Sequence, residues 1–276
     1  MSLSVLVLTF NEEVNLPACL DSVAWSDDVV VLDSFSTDAT VQIAAARGAR
    51  VVQRVFDNYA NQRNYGLHDV PCKHPWVLML DADERVPEYL YREMVAATRD
   101  APESVALFRM RRKDYLFGRW IRGSSGYPTW FGRLARPERV RVERAYNEEY
   151  HADGDAVLLQ GHLHHFPFNK GFAAWFVKHD RYSSMEAQLR VAGTDALAPL
   201  SNLFAHDVAE RRRALKRVIG ALPGRPLWMF LALYLLRGGF LEGRAGFTFS
   251  VLRAWYEYMI DCKALELRRR RAQLPV

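Results

Sequence analysis

Two carboxylates one residue apart, Asp81 and Asp83, close the apolar run Trp76-Val77-Leu78-Met79-Leu80. Acids that leave a buried strand together can grip a divalent cation, and such a cation can hold a diphosphate. The pair therefore points to nucleotide-sugar chemistry. Short acidic pairs also occur as solvated turn residues, and this one could cap a helix expected from Pro87. Its position in the fold decides between the two.

The first hundred residues alternate strand-like and helical patterns. Strand-like runs are Leu3 to Leu8, Asp28 to Leu32, Arg50 to Gln53 and Trp76 to Leu80. Helical patterns run from about Val14 to Ala24, Ala39 to Arg47, Tyr59 to Leu67 and Pro87 to Thr98. Such alternation implies an α/β fold, a mostly parallel central sheet flanked by helices, with ligands bound beyond the carboxyl ends of the strands. Three of those ends carry acids: Asn11-Glu12-Glu13, Asp33, and Asp81 with Asp83. Singly, each has a local explanation as a helix cap or a first-turn acid. Clustered carboxylates repel unless a cation or donor groups offset them, so one shared ligand is the economical reading. No G-x-G-x-x-G follows the first strand and no G-x-x-x-x-G-K-[ST] occurs, which argues against a dinucleotide-binding dehydrogenase and a P-loop NTPase.

With 276 residues, about half of them hydrophobic, the chain can bury one large core. Cys19, Cys72 and Cys262 are scattered and odd in number, which suggests neither a disulfide framework nor a zinc site and fits a reducing cytosol. The run Leu3 to Leu8 meets Asn11-Glu12-Glu13 without a basic leader and reads as a first strand rather than a signal peptide. Charge is uneven. From Ala205 onward 14 Lys and Arg face 6 Asp and Glu, a net +8, which leaves −3 for the first 204 residues of a chain at +5. The tail, and not the body, is expected to meet something anionic.

The segments Val5-Leu6-Val7-Leu8-Thr9-Phe10-Asn11-Glu12, Val30-Val31-Leu32-Asp33-Ser34-Phe35-Ser36-Thr37-Asp38 and Leu80-Asp81-Ala82-Asp83-Glu84, in this order and spacing, resemble inverting family 2 glycosyltransferases of the GT-A fold. Gln62-Arg63-Asn64, Asp83-Glu84-Arg85, Gly126-Tyr127-Pro128, Arg133-Leu134 and Lys178 with Arg181-Tyr182 are similar to the bacterial lipopolysaccharide-core β-glucosyltransferase type. The resemblance implies a Rossmann-like half over residues 1–100 that binds the nucleotide sugar, an acceptor half over 101–200, and a basic, aromatic-rich helical tail over 201–276. It implies that Thr9, Asn11, Glu12 and Asp33 hold the nucleoside, that Arg63 sits beside the diphosphate, and that Asp81 and Ala82 line the donor site. Asp83, joined by Asp81, would bind Mg²⁺ or Mn²⁺, an ion that takes oxygen ligands. Inversion requires a general base near the acceptor hydroxyl. Where the related family shows His-Glu, this chain has Asn147-Glu148-Glu149, so the base is Glu148 or Glu149.

Beyond these acids lie His162, His164 and His165, whose spacing could set two on one strand face; His164 or His165 could contact metal or diphosphate. Arg109, Arg111, Arg112, Arg119 and Arg133 populate the acceptor half and could meet acceptor phosphates. Leu227 to Leu236 is an apolar run of ten, too short to span a bilayer, which needs roughly 20 residues. Arg211-Arg212-Arg213, Lys216-Arg217 and Arg225 precede it, and Lys263 and Arg268 to Arg271 follow it, with Trp255 and Tyr258 between; this is the composition of a helix lying on an anionic leaflet. No nucleic-acid module frames these charges, so no nucleic acid is expected. The expectation is a metal-dependent enzyme, peripheral to the inner face of the cytoplasmic membrane. It would transfer a hexose, glucose by preference, from a UDP-sugar to a lipid-linked saccharide of lipopolysaccharide or other envelope polysaccharide. A polyprenyl-phosphate acceptor and a non-catalytic membrane-bound scaffold of the same fold are the alternatives.

Overall fold

Apolar β-branched runs punctuated by caps and turns build the first half as the periodicity predicts. The computed structural model describes residues 3–144, 149–192 and 224–276. In chain order the elements are β1 (Ser4–Thr9), α1 (Leu16–Asp21), β2 (Val29–Asp33), α2 (Thr40–Ala46), β3 (Arg50–Gln53), α3 (Tyr59–His68), β4 (Val77–Asp81), β5 (Glu84–Arg85) and α4 (Glu88–Arg99). Next come β6 (Val105–Leu116), β7 (Arg119–Trp120), β8 (Trp130–Ala135), β9 (Val140–Glu143), β10 (Glu149–Ala152), β11 (Asp155–His165) and α5 (Gly171–Ala192). After the undescribed stretch follow α6 (Arg225–Leu231), a π-helical turn (Ala232–Leu236), a 3₁₀ turn (Gly239–Glu242) and α7 (Gly243–Arg271).

Contacts divide the chain into two units, Met1–Tyr115 with Tyr127–Lys170, and Leu116–Gly126 with Gly171–Val276. The boundary expected between residues 200 and 201 lies outside the described residues.

In the first unit the main sheet runs β3-β2-β1-β4-β8-β6-β11-β5. The first four of these are parallel, as alternation with helices requires. β8 inserts antiparallel between β4 and β6, while β6 and β11 are parallel. The core lies on both faces: Val5, Val7, Leu78 and Leu80 pack into one cluster, and Leu6, Val30, Val77 and Met79 into the other. A strand buried on both sides reads as a continuous apolar run, which is why these strands were legible. Two local features aim the site. Gly66 lets α3 approach the sheet, since a Cβ there would lie 2.3 Å from a Leu6 methyl, and Arg63, one turn earlier, is thereby drawn under the strand ends. β5 pairs antiparallel with the end of β11, setting His165 opposite Glu84.

The second unit is helical. Tyr256, Ile260 and Ala264 of α7 pack with Ala187 of α5. Glu242 caps a loop of the same unit, accepting from Gly123 N and Ser124 Oγ at 2.5 Å each. The apolar run 227–236 is a half-exposed helical stretch, α-helical to Leu231 and π-helical from Ala232. No described helix is long and apolar enough to cross a membrane.

Candidate active site

The carboxyl end of β4 opens on a network of charges. Asp81 Oδ1 accepts from Arg63 Nη2 at 2.7 Å and Oδ2 from Arg133 Nη2 at 2.8 Å. Arg133 also donates to Glu84 Oε1 at 2.9 Å and to the Tyr150 hydroxyl at 3.2 Å. Glu84, wholly buried, closes the turn by accepting from Asp81 N at 3.0 Å. Burial opposes the charge on Asp81, but the attraction of Arg63 and Arg133 outweighs it and holds the carboxyl below its ordinary range. Burial likewise works against the Arg133 charge, and Glu84 and Asp81 more than restore it, pushing its pKa up.

Asp83 heads a second chain of contacts. His165 Nε2 lies 3.3 Å from Asp83 Oδ2, and His165 Nδ1 is 2.6 Å from Asp114 Oδ1. Arg112 Nε is 3.2 Å from the same Asp114 oxygen. Burial and Arg112 disfavour the imidazolium, yet Asp83 and Asp114 prevail and raise the His165 pKa. Asp114 is held low, its burial being overcome chiefly by Arg112 and His165.

These donors suit a small divalent cation. Adjacent ligand atoms about 2.1 Å from an octahedral Mg²⁺ or Mn²⁺ are about 3.0 Å apart, close to the spacing of Asp83 Oδ2 and His165 Nε2. Asp114, bonded to the far ring nitrogen, fixes the tautomer that turns Nε2 toward Asp83. Among the described residues no group of three or more His, Cys, Asp or Glu side chains could enclose a metal ion, so a cation held here would need further oxygen ligands from substrate or water.

The nucleoside residues divide into a rim and a floor. Asn11 takes a left-handed backbone (φ 52°), and its Oδ1 accepts from Thr37 N at 2.8 Å, tying the end of β1 to that of β2. Glu12 accepts from Lys170 Nζ at 2.8 Å and from Asn15 Nδ2 at 2.9 Å. Its pKa is raised by burial and by the charge of Asp83, against Lys170 and Asn15. Asp33 has no exposed surface: it accepts from Thr9 Oγ1 at 2.9 Å, Ser36 N at 2.9 Å and Gln53 Nε2 at 3.2 Å. Thr9 and Asp33 thus tie the ends of β1 and β2 together at the floor of the crevice where the nucleoside is expected.

The remaining expected residues sit around this network. Arg63 is buried and paired with Asp81 at 2.7 Å. Asp81 has both carboxylate oxygens held by guanidinium groups. Ala82 is buried and its carbonyl accepts from Arg85 Nη1 at 2.9 Å. His164 points away from Asp83, its neighbour His165 toward it, as strand alternation demands. Glu149 is half exposed and paired with Arg144 at 3.0 Å. Tyr150, next in β10, reaches Arg133, so Glu149 faces away from the network. Glu148 lies outside the described residues, as do Arg211 to Arg217.

Two participants escaped sequence reasoning. Asp114 and Lys170 lack local signatures, because each acquires its role through contacts with residues distant in sequence, and Glu84 and Arg112, though noted in the sequence, gain their partners in the same way. Phe10 and Phe35, about half exposed at the ends of β1 and β2, did carry a signal: a large aromatic just past an apolar strand, where burial has ended. Phe35 also holds a left-handed backbone (φ 59°), a costly conformation for a bulky side chain.

Comparison with known proteins agrees with this geometry. A family described as "Glycosyl transferase family 2" matches residues 4–161. The lipopolysaccharide core biosynthesis glycosyltransferase LpsC of Rhizobium meliloti is 25% identical over 272 residues, covering 95% of this chain and 92% of LpsC. An uncharacterized glycosyltransferase of Rickettsia bellii is 26% identical, covering 96% of this chain and 86% of its own. Among solved structures, glucosyl-3-phosphoglycerate synthase from Mycobacterium tuberculosis with Mn²⁺, UDP-glucose and phosphoglyceric acid is 26% identical over 40% of this chain and 44% of that one, with a TM-score of 0.35.

Proposed function

The chain belongs to glycosyl transferase family 2, with the mostly parallel, helix-flanked sheet of the GT-A fold, and on that premise we propose that it is a metal-dependent inverting transferase. In this reading it moves a hexose, glucose by preference, from a UDP-sugar to a lipid-linked saccharide of the bacterial envelope. The observation that carries the reading is the Asp83–His165–Asp114 chain at the end of β4, two donors spaced for one cation with the far imidazole nitrogen anchored.

Asp83 and His165 would hold Mg²⁺ or Mn²⁺, which supplies positive charge to the leaving nucleoside diphosphate. Arg63 and Arg133 keep Asp81 ionised and the turn rigid, so Asp83 is presented in one orientation. Asn11 and Glu12 at the rim offer oxygen acceptors for ribose hydroxyls or a base N–H, and Phe10 offers a ring face for stacking. Glu148 is the proposed base: it would take the acceptor hydroxyl proton as that oxygen attacks the anomeric carbon opposite the leaving group. Glu149 is paired with Arg144 and faces away from the Arg133 network, which leaves Glu148 as the proposed base.

The second unit supports a membrane-bound acceptor. Phe247, Val251, Trp255 and Tyr258 form an exposed stripe at helical spacing on α7, and the last turn carries Arg268 to Arg271. An apolar stripe ending in a basic run suits a peripheral position on an anionic leaflet, here assigned to the inner face of the cytoplasmic membrane. A polyprenyl-phosphate acceptor remains the second reading. An undecaprenyl-phosphate 4-deoxy-4-formamido-L-arabinose transferase of Pseudomonas fluorescens is 28% identical over 42% of this chain. A phosphate nucleophile is already ionised, so activity retained after Glu148→Gln would favour it.

Calorimetric titration with UDP-sugars, with and without Mn²⁺, tests the donor assignment. Metal-dependent binding of one UDP-sugar that disappears in Asp83→Ala is the expected result; absence of binding by every UDP-sugar overturns it.

A further inference from the structure

The face of the sheet turned away from Asp114 and His165 carries a second cluster. Arg109, Arg111, Lys113 and Tyr115 occupy alternate positions of β6 and so share that face. β11 sets His162 beside Arg111 and His164 beside Lys113, and β8 sets Trp130 beside Arg111. The rings form a continuous surface. His162 and His164 are stacked with centroids 6.0 Å apart, Tyr115 lies 5.2 Å from His164, and Tyr89 of α4 lies 5.3 Å from His162. The Arg111 guanidinium sits over the Trp130 ring at 5.1 Å.

The charges of this face contrast with those behind it. Arg112 and Arg133 are paired with carboxylates. Among the described residues Arg109 and Arg111 form no ion pair, and the Nε of each is buried without a hydrogen-bond acceptor. Buried guanidinium nitrogens normally find acceptors, and an oxyanion is an acceptor that suits them. His162 and His164 stand side by side on this face, and imidazole nitrogens can exchange hydrogen bonds with sugar hydroxyls. Aromatic rings offer flat apolar surface to the C–H face of a pyranose while their polar neighbours fix its orientation.

We propose that this face is an acceptor subsite for a saccharide bearing an oxyanion, either a phosphate ester or a sugar carboxylate. Arg111, with Arg109 behind it, takes the anionic group; His162 and His164 take hydroxyls; Tyr115 and Trp130 flank the ring. The assignment rests on the reading of the chain as a glycosyltransferase with a saccharide acceptor. The strand itself links the two sites, because His164 is one residue, about 3.3 Å along the chain, from His165.

The test is histidine-detected NMR on the whole protein, titrated with glucose 6-phosphate, glucuronate and glucose in the absence of nucleotide and metal. The expected result is a shift of the His162 and His164 ring signals by one or both charged sugars, at roughly tenfold or more lower concentration than glucose requires. Arg111→Gln should bring the charged sugar to the level of glucose. If that variant disturbs the signals of His68 and His74, Lys113→Gln replaces it. A stronger response to glucose 6-phosphate identifies a phosphate ester, and one to glucuronate a carboxylate; either supports the subsite. Equal response to glucose, shifts confined to His165, or no response to any sugar overturns it. Because no donor is present, these outcomes stand apart from failure of the UDP-sugar reading.

Discussion

Replacing Glu84 by Gln keeps shape and volume but removes one charge from the most buried part of the network. The Glu84 carboxylate has no exposed surface and lies 2.9 Å from Arg133 Nη2 and 3.7 Å from Arg112 Nη1. Gln retains an oxygen for the bond from Asp81 N, so that contact survives. The charge-assisted bond to Arg133 is lost or weakened, which costs about 1.5–3 kcal/mol, and Arg133 keeps Asp81 as its remaining carboxylate partner. Adding the weaker Arg112 term, the expected loss is about 3 kcal/mol, at the low end for breaking a buried ion pair because no cation is left wholly alone. For a folding unit of this size that corresponds to a fall in Tm of roughly 6–12 °C. Urea titration followed by tryptophan fluorescence, with calorimetry for Tm, measures it. The double variant Glu84→Met with Arg133→Met should recover part of the loss, since desolvation of both groups is then avoided. A loss below about 1 kcal/mol in Glu84→Gln, or a double variant less stable than the single, would refute the view that this network is held by charge.

Asp114→Asn should weaken Mn²⁺ binding in the presence of UDP by roughly 10- to 100-fold, read by calorimetry, because the far nitrogen of His165 loses its anionic anchor. Asp33→Ala should act mainly on stability, costing about 2 kcal/mol or more through the donors of Thr9, Ser36 and Gln53 left without an acceptor, a loss that urea titration reads. The lowered pKa of Asp81 means that its contribution to stability is complete above the unfolded value of about 3.9 and is lost as pH falls toward the lower folded value; urea midpoints should hold down to about pH 5 and drop below about pH 4, less so in Asp81→Asn. Trp255→Ser with Phe247→Ser should reduce sedimentation with anionic vesicles at least several-fold while leaving UDP-sugar binding intact, since both side chains are exposed on α7.

The parallel half of the sheet was legible because its strands are buried on both faces and so consist of continuous apolar runs, as in Val29–Asp33 and Val77–Asp81. The acids at their ends were legible for the same reason: a carboxylate ending an apolar run has few places to go but the ligand crevice. What those acids touch was not legible. Arg133 reaches Asp81 across 52 residues only because β8 is inserted antiparallel beside β4, and no local pattern announces an insertion. Arg63 reads as a helix surface charge until Gly66 is seen to seat α3 against Leu6. The histidine triplet signalled alternation, but which of its members faces Asp83 depends on the register of β11 with β5.

The distribution of charge at the end of β4 bears on how donor and cation depend on each other. Asp81, Asp83, Glu84 and Asp114 face Arg63, Arg112 and Arg133, and the arginines are placed against Asp81, Glu84 and Asp114. Asp83 has His165 as its neighbour. One carboxylate and one imidazole make a weak site for a hard divalent ion, which prefers several oxygen ligands. On the proposed reading a diphosphate would supply those oxygens, while Arg63 and Arg133 are engaged with Asp81. Each ligand therefore offsets what the other lacks, and by linkage the affinity gained by one equals that gained by the other. On the proposed reading such a site would release both together after transfer, and the arginine-held turn would keep Asp83 in place for the next donor.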